Sequence, residues 1–433
     1  MKTKLVIFGI TGDLAQRKLL PALANIIEAD QAGELSIIGV SRRAVEQFEV
    51  LGDHHQLSGT TSMFQMDLDD PDDYVKLRNY VAQTDDEQVL FYLSVPPESA
   101  SDIVENLGKA GLNGQHNKLL LEKPFGRDAA SAQAQTEHVA AYFHESQIYR
   151  IDHYLAKEMA QNIVTFRARN AIFSYLWSNQ YIERIEVLAL ESIGIEGRAA
   201  FYEQTGALRD IVQGHLMQLL ALTLLPLPEQ LDWDQLPSLR DAALAEVMPV
   251  DPAKTARAQY EGYQDEVDNP NSLVETFVSL ELRSNDPTWQ GVPLALTTGK
   301  SLDRKKTEVR IHFRRQNDSQ SNYLVFKIQP DEGITIDLVT KKPGYDTEVE
   351  HQKLSFMYSA SDQRLPDAYE QVLVDAILGR KSLFATSTEV LRAWEILAPL
   401  QEFWTTQTTI ATYASGSRAG DIISQINNSS DKL

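Results

Sequence analysis

The chain reads as α/β followed by α+β: a doubly wound parallel sheet over about residues 1–150, then a large, mostly antiparallel sheet with helices over 151–433. Three observations predict this. An apolar run, Lys4 to Phe8, leads at once into Gly9-Ile10-Thr11-Gly12-Asp13-Leu14-Ala15 and then into helical spacing at Leu19, Leu20 and Leu23, the order strand, glycine turn, helix. Strand and helix patterns then alternate to about residue 150, as a parallel sheet requires. From Val274 to Met357, by contrast, strand patterns succeed one another without long helices between them, which implies antiparallel pairing.

Taken in order, the first turn is a Rossmann-type entry, in which backbone N–H groups and a helix N-terminus receive a pyrophosphate. Gly9, Thr11, Gly12, Asp13 and Leu14 are its candidate cofactor contacts, with Thr11 where a second glycine usually stands. The next strand, Leu35 to Val40, ends in Ser41-Arg42-Arg43. An acidic residue there holds a free ribose hydroxyl, and a cation accommodates a 2′-phosphate, so Ser41 and Arg42 point to NADP, with NAD the weaker alternative. Strands at Val89 to Leu93 and Lys118 to Leu121 run into turns containing Pro96 and Lys123, at the strand ends where such sheets bind ligands.

The stretch Arg150-Ile151-Asp152-His153-Tyr154-Leu155-Ala156-Lys157-Glu158 is too polar for a core strand. It stands where the two regions meet, and its cations suit an anionic ligand. Helix follows to Phe166, and a half-buried strand pattern runs from Ile182 to Ser192 past Glu191. A glycine turn at Gly206 then opens an apolar helix to about Leu225. Asp210 and His215, five apart on that helix, do not share one α-helical face. Residues 225 to 271 read as a peripheral excursion, one or more helices fill Ala368 to Trp404, and the small polar end reads as a loose tail.

Charge and composition narrow the function. A formal charge of −21 over 433 residues argues against nucleic-acid and membrane-surface roles and makes clustered cations worth attention. No window is apolar enough for a membrane span, and the start shows no signal-peptide pattern, so a cytoplasmic protein is expected. The absence of cysteine removes disulfides and thiolate metal sites, and the histidines and carboxylates show no metal-ligand spacing.

Together these stretches resemble the glucose-6-phosphate dehydrogenase family nearly end to end. The resemblance rests on Gly9-x-x-Gly12-Asp13-Leu14-Ala15, Glu122-Lys123-Pro124-Phe125-Gly126 and Arg150 to Glu158, on Gly206-Ala207-Leu208-Arg209-Asp210 with Gln213 and His215, and on Gly291-Val292-Pro293 with Gly299-Lys300. It implies NADP-linked oxidation of glucose 6-phosphate, with His215 as general base and Asp152 as the carboxylate that orients it. It also implies a phosphate site at His153, Tyr154 and Lys157, and sugar contacts at Lys123, Glu191, Asp210, Lys300, Lys305 and Gln329. The chemistry agrees: hydride leaves the anomeric carbon as the hydroxyl proton departs, so a base with a pKa near neutrality is needed, and no metal is.

Three positions depart from the family pattern: Gly214 before the base where asparagine is usual, Ala156 where glycine is usual, and Thr297 where arginine is usual. These bear on the strictness for glucose 6-phosphate. The competing readings are a dehydrogenase of another sugar or sugar phosphate and a non-catalytic NADP-binding sensor. A small-molecule sugar phosphate is the expected partner, and the antiparallel sheet suggests a homodimer or homotetramer.

Overall fold

The computed structural model describes residues 2–315, 321–360 and 364–430. The chain divides into two compact units. The first comprises Met1–Ala156, Asp232–Pro237 and Pro366–Leu391; the second comprises Lys157–Leu231, Ser238–Leu365 and Arg392–Leu433.

The first unit is built on parallel strands β1 (Lys2–Phe8), β2 (Leu35–Ser41), β3 (Thr61–Gln65), β4 (Glu87–Leu93), β5 (Asn117–Leu121) and β6 (Ile148–Ile151). Their order is β6-β5-β4-β1-β2-β3, with a short antiparallel strand Phe384–Ala385 outside β6. The chain reverses direction across the sheet between β1 and β4. Leu5 to Phe8 and Val89 to Tyr92 are wholly buried there, as central parallel strands covered on both faces must be. The stretch from Arg150 begins as strand after all: Arg150 pairs with Leu121 and Ala385, and its guanidinium is buried against Glu145 at 2.6 Å. An ion pair lets so polar a residue sit in a sheet.

Residues 366–391 join this unit despite their distance in sequence. Val372, Leu373 and Ala376 of helix Ala368–Leu378 enter the same core as Leu20 and Leu23 of helix Leu20–Glu28. The end of the later helix is tied down by Lys118 Nζ to Ala376 O at 2.7 Å and Gln88 Nε2 to Ile377 O at 2.7 Å.

The second unit contains β7 (Ile182–Leu190), β8 (Thr255–Tyr260), β9 (Phe277–Leu282), β10 (Leu294–Gly299), β11 (Lys306–Phe313), β12 (Tyr323–Gln329), β13 (Gly333–Lys341) and β14 (Val349–Met357). Their order is β14-β13-β12-β11-β7-β10-β9-β8, with strand Ala411–Tyr413 beyond β8. Pairing is antiparallel except between β7 and β10 and between Ala411–Tyr413 and β8.

Two expectations are corrected here. Residues 225–271 are not wholly peripheral, because β8 buries Ala256, Ala258 and Tyr260 in the sheet's core. The polar end is not a loose tail: residues Ala419–Ser430 form a helix whose Ile422 is buried, with Ile423 and Ile426 packed beside it. Among the described residues no helix is long and apolar enough to cross a membrane.

Candidate functional site

In the first unit the predicted cofactor residues gather at the C-terminal ends of β1, β2 and β4, beside the point where strand order reverses. Such points are where open α/β sheets bind ligands. Gly9 adopts φ +77°, and a Cβ on it would stand 2.2 Å from the Ser94 carbonyl oxygen, so only glycine fits. Gly12 N–H closes the turn on Gly9 O at 2.9 Å, and the helix begins at Asp13. Thr11 and Asp13 are exposed and Leu14 is half-buried, which leaves the helix N-terminus open to an anion. Ser41 is buried and its hydroxyl accepts from Arg43 N–H at 3.3 Å, whereas Arg42 is exposed at the strand end. Pro96 caps the helix Pro97–Lys109. This glycine turn opening a helix, with a cation at the end of the second strand, fits a dinucleotide.

On the same side of the sheet, β5 leads into Glu122 and half-buried Lys123, and β6 leads into Asp152 and His153. Asp152 is 2% exposed, and its Oδ1 accepts from Tyr154 N–H at 3.0 Å, which locks the turn. The His153 ring lies between Tyr154, edge-on at 5.0 Å, and Tyr369, near-parallel at 6.2 Å. Glu122 accepts from the Tyr92 and Tyr369 hydroxyls. Burial pushes its carboxyl up to about 7, with Asp152 adding to the rise and Lys123 opposing it.

In the second unit the predicted residues collect at one end of the sheet. Glu191 follows β7 and Lys300 follows β10, the parallel pair, with Glu191 N–H bonded to Gly299 O at 2.9 Å. Lys300 is 2% exposed, ion-paired with Glu191 and set 5.4 Å over the Tyr202 ring. Gln329 ends β12 and donates to Thr307 Oγ1 at 3.2 Å. Lys305 precedes β11 and is exposed, and Lys157 caps the helix Glu158–Arg169.

His215 is buried in segment Leu208–Leu216, which winds with i→i+5 bonding before continuing as the α-helix Met217–Leu224. This corrects the expectation for Asp210 and His215. In the wider turn, residues five apart come about one turn apart and nearly onto one face, whereas α-helical winding sets them about 140° apart. The segment is entered through Gly206 at φ +63°, where a Cβ would lie 2.5 Å from Glu275 Oε1. Glu275 in turn accepts from Leu208 N–H at 2.9 Å, and its carbonyl accepts from Ala207 N–H at 3.0 Å.

Sequence reasoning missed Tyr92, Tyr369, Tyr202 and Glu275. Each is a single residue in an apolar or helical run, and its neighbours in space are remote in sequence. Glu122 was missed as well, although it stands in the Glu122-Lys123-Pro124 turn beside the predicted Lys123.

Comparison with known proteins places the whole chain. Two family models match it: glucose-6-phosphate dehydrogenase, NAD binding domain, over residues 6–162, and glucose-6-phosphate dehydrogenase, C-terminal domain, over residues 164–432. Glucose-6-phosphate 1-dehydrogenase of Bacillus subtilis is 36% identical, covering 96% of this chain and 94% of its own. That of Chlamydia muridarum is 34% identical, covering 92% and 90%. A solved glucose-6-phosphate dehydrogenase in complex with its substrate glucose-6-phosphate aligns with TM-score 0.91 at 28% identity, over 99% of this chain and 97% of that one. The glucose-6-phosphate 1-dehydrogenase structure from Mycobacterium avium aligns with TM-score 0.87 at 30% identity, over 98% and 96%.

Proposed function

The chain belongs to the glucose-6-phosphate dehydrogenase family, and from that premise we propose how its two sets of residues carry out the reaction. The enzyme oxidises D-glucose 6-phosphate at the anomeric carbon to 6-phospho-D-glucono-1,5-lactone, the entry step of the pentose phosphate pathway. A nicotinamide dinucleotide, when bound, takes the hydride. The observation that carries this reading is the pair of family matches, over residues 6–162 and 164–432.

In the proposed mechanism His215 removes the anomeric hydroxyl proton, and Asp152 fixes the imidazole tautomer and stabilises the imidazolium. His153, Tyr154 and Lys157 hold the phosphate. Lys123, Glu191, Asp210, Lys300, Lys305 and Gln329 surround the sugar. Gly9, Gly12, Asp13 and Leu14 receive the pyrophosphate, and Pro96 and Lys123 border the nicotinamide end. Thr11, Ser41 and Arg42 meet a 2′-phosphate, so NADP is the preferred cofactor. No step calls for a metal, since the electrons leave as hydride.

The division into a dinucleotide domain at 1–150 and a substrate and dimerisation domain at 151–433 belongs to the same proposal, as do a cytoplasmic location and a homodimer or homotetramer. Leu338, Leu354 and Phe356, 39%, 59% and 52% exposed on the β13–β14 hairpin, support association there. The test is the purified protein with NADP or NAD and a panel of sugars and sugar phosphates, followed by absorbance of reduced cofactor. Turnover confined to glucose 6-phosphate with NADP is expected. Equal turnover of free glucose would remove the phosphate site from the reading, and no turnover with any sugar would leave a binding protein.

A further inference from the structure

The helix that carries His215 ends inside the protein. Every residue from Met217 to Leu224 is buried, and the helix's C-terminal end borders a cavity lined in part by Arg167, Trp177, Leu224, Leu225 and Trp289, so the carbonyls of its last turn depend on the groups gathered there. An α-helix leaves four such carbonyls without an intrahelical donor. Here side chains from two other parts of the unit meet all of them. Leu222 O accepts from Arg167 Nη1 at 3.0 Å, and Leu225 O from Arg167 Nη2 at 2.8 Å. Thr223 O accepts from Trp177 Nε1 at 2.9 Å, and Leu224 O from Trp289 Nε1 at 3.1 Å.

The donors are themselves buried. Arg167 has no carboxylate partner among the described residues; its guanidinium lies 5.1 Å from the Trp177 ring centroid, and burial brings its pKa down to about 9. What compensates the buried cation is the negative end of the helix dipole.

The other end of the helix is held too, by Glu275 on the N–H groups of Ala207 and Leu208. Between two fixed ends lies the i→i+5 segment Leu208–Leu216. That winding rises less per residue than an α-helix, so relaxing it would lengthen the segment and turn His215 off the face of Asp210. Fixed ends forbid the lengthening.

We propose that Arg167, Trp177 and Trp289 are positioning residues for His215: by clamping the helix C-terminus they hold the wide winding, and through it the direction of the imidazole. The proposal rests on the reading of His215 as general base. It assigns a role in the reaction to residues that touch neither substrate nor cofactor.

The test is a double-mutant cycle of Trp289→Phe, which keeps an aromatic ring and deletes the donor, with His215→Asn. Turnover is measured per folded molecule, with Michaelis constants and the pH profile of kcat. Trp289→Phe is expected to lower kcat about tenfold, leave both Michaelis constants within about twofold, and shift the acid limb of the profile. On the His215→Asn background it should cost less than about twofold, since residues that act through one another are non-additive. The same loss on both backgrounds, or a lowered Tm with unchanged kcat and pH profile, would overturn the proposal and leave a purely structural cap. If His215→Asn alone keeps most of its turnover, it is the base assignment that fails, and the two failures are thereby distinguished. Should Trp289→Phe not fold, Trp177→Phe serves in the same cycle, and Arg167→Lys, which keeps the charge and an N–H donor group, should recover most of the activity lost in Arg167→Met.

Discussion

Replacing Glu122 by glutamine should stabilise the first unit at alkaline pH and do little at acid pH. The carboxyl is held up to about 7 from an ordinary 4.5, chiefly by burial. Its native midpoint is therefore above the unfolded one. Between those values the native state keeps a proton that the unfolded chain has released, so stability falls as pH rises from about 4.5 to 7 and the deficit then stays constant. A midpoint raised this far costs the ionised native state about 3 kcal/mol, or about 2 kcal/mol after allowing for the residue's partial exposure. Glutamine still offers an oxygen to the Tyr92 and Tyr369 hydroxyls but has nothing to ionise. Thermal unfolding at pH 5 and pH 8 reads the effect. In a unit of roughly 200 residues, Glu122→Gln should raise Tm by about 4–8 °C at pH 8 and by about 1 °C or less at pH 5. A variant less stable than the parent at pH 8 would refute the reasoning, because it would mean that an ionised Glu122 is paired, with Lys123 the neighbouring cation.

Four further outcomes are expected. His215→Asn should lower kcat by about two to four powers of ten with little change in Michaelis constants, and retention of more than about a tenth of turnover in steady-state assays would remove it from the role of base. Lys157→Ala should raise the Michaelis constant for the sugar phosphate about ten- to a hundredfold while hardly changing that for cofactor; an equal loss for glucose and glucose 6-phosphate would show that it does not read the phosphate. Arg42→Ala should raise the Michaelis constant for NADP about ten- to a hundredfold and that for NAD by less than about threefold, and comparable changes for both would refute the 2′-phosphate contact. Glu191→Gln leaves the buried Lys300 ammonium without its carboxylate and should cost about 2–4 kcal/mol in urea unfolding; a cost below about 0.5 kcal/mol would mean that the pair is solvated like a surface bridge.

Much of the first unit was legible because its strands are apolar runs bounded by glycine and proline, and a parallel sheet needs both faces apolar. β3 was missed since Thr61-Ser62-Met63-Phe64-Gln65 is half-buried and carries no such run. β6 was missed for the opposite reason: Arg150 looks like a surface residue, and only its three-dimensional pairing with Glu145 explains its burial. The attachment of residues 366–391 to the first unit rests on Lys118, Gln88 and Asn25 meeting groups on a helix far along the chain, and no local periodicity encodes that. The winding around His215 was equally hidden, because no apolar spacing within Leu208–Leu216 marks an i→i+5 segment apart from an α-helix.

Charge explains why the cations of the site divide into two kinds. In a chain of net charge −21 every phosphate approaches against a repulsive field. A lysine already neutralised by a carboxylate does little to offset that field. Lys300, ion-paired with Glu191 and almost without exposure, is such a lysine, and its directed N–H groups suit an uncharged hydroxyl. Among the described residues Lys157 and Arg42 have no ion-pair partner, and both reach the surface. In the proposed reading that charge meets a dianion, the sugar phosphate at Lys157 and the 2′-phosphate at Arg42, with the Glu332 carboxylate near enough to Lys157 to feel its charge. Losing either should therefore appear in a Michaelis constant and weaken with added salt, which screens exposed charges within about 10 Å at 0.1 M. Losing the buried Lys300 should act on kcat and be nearly indifferent to salt, since its interactions are made where counter-ions do not reach.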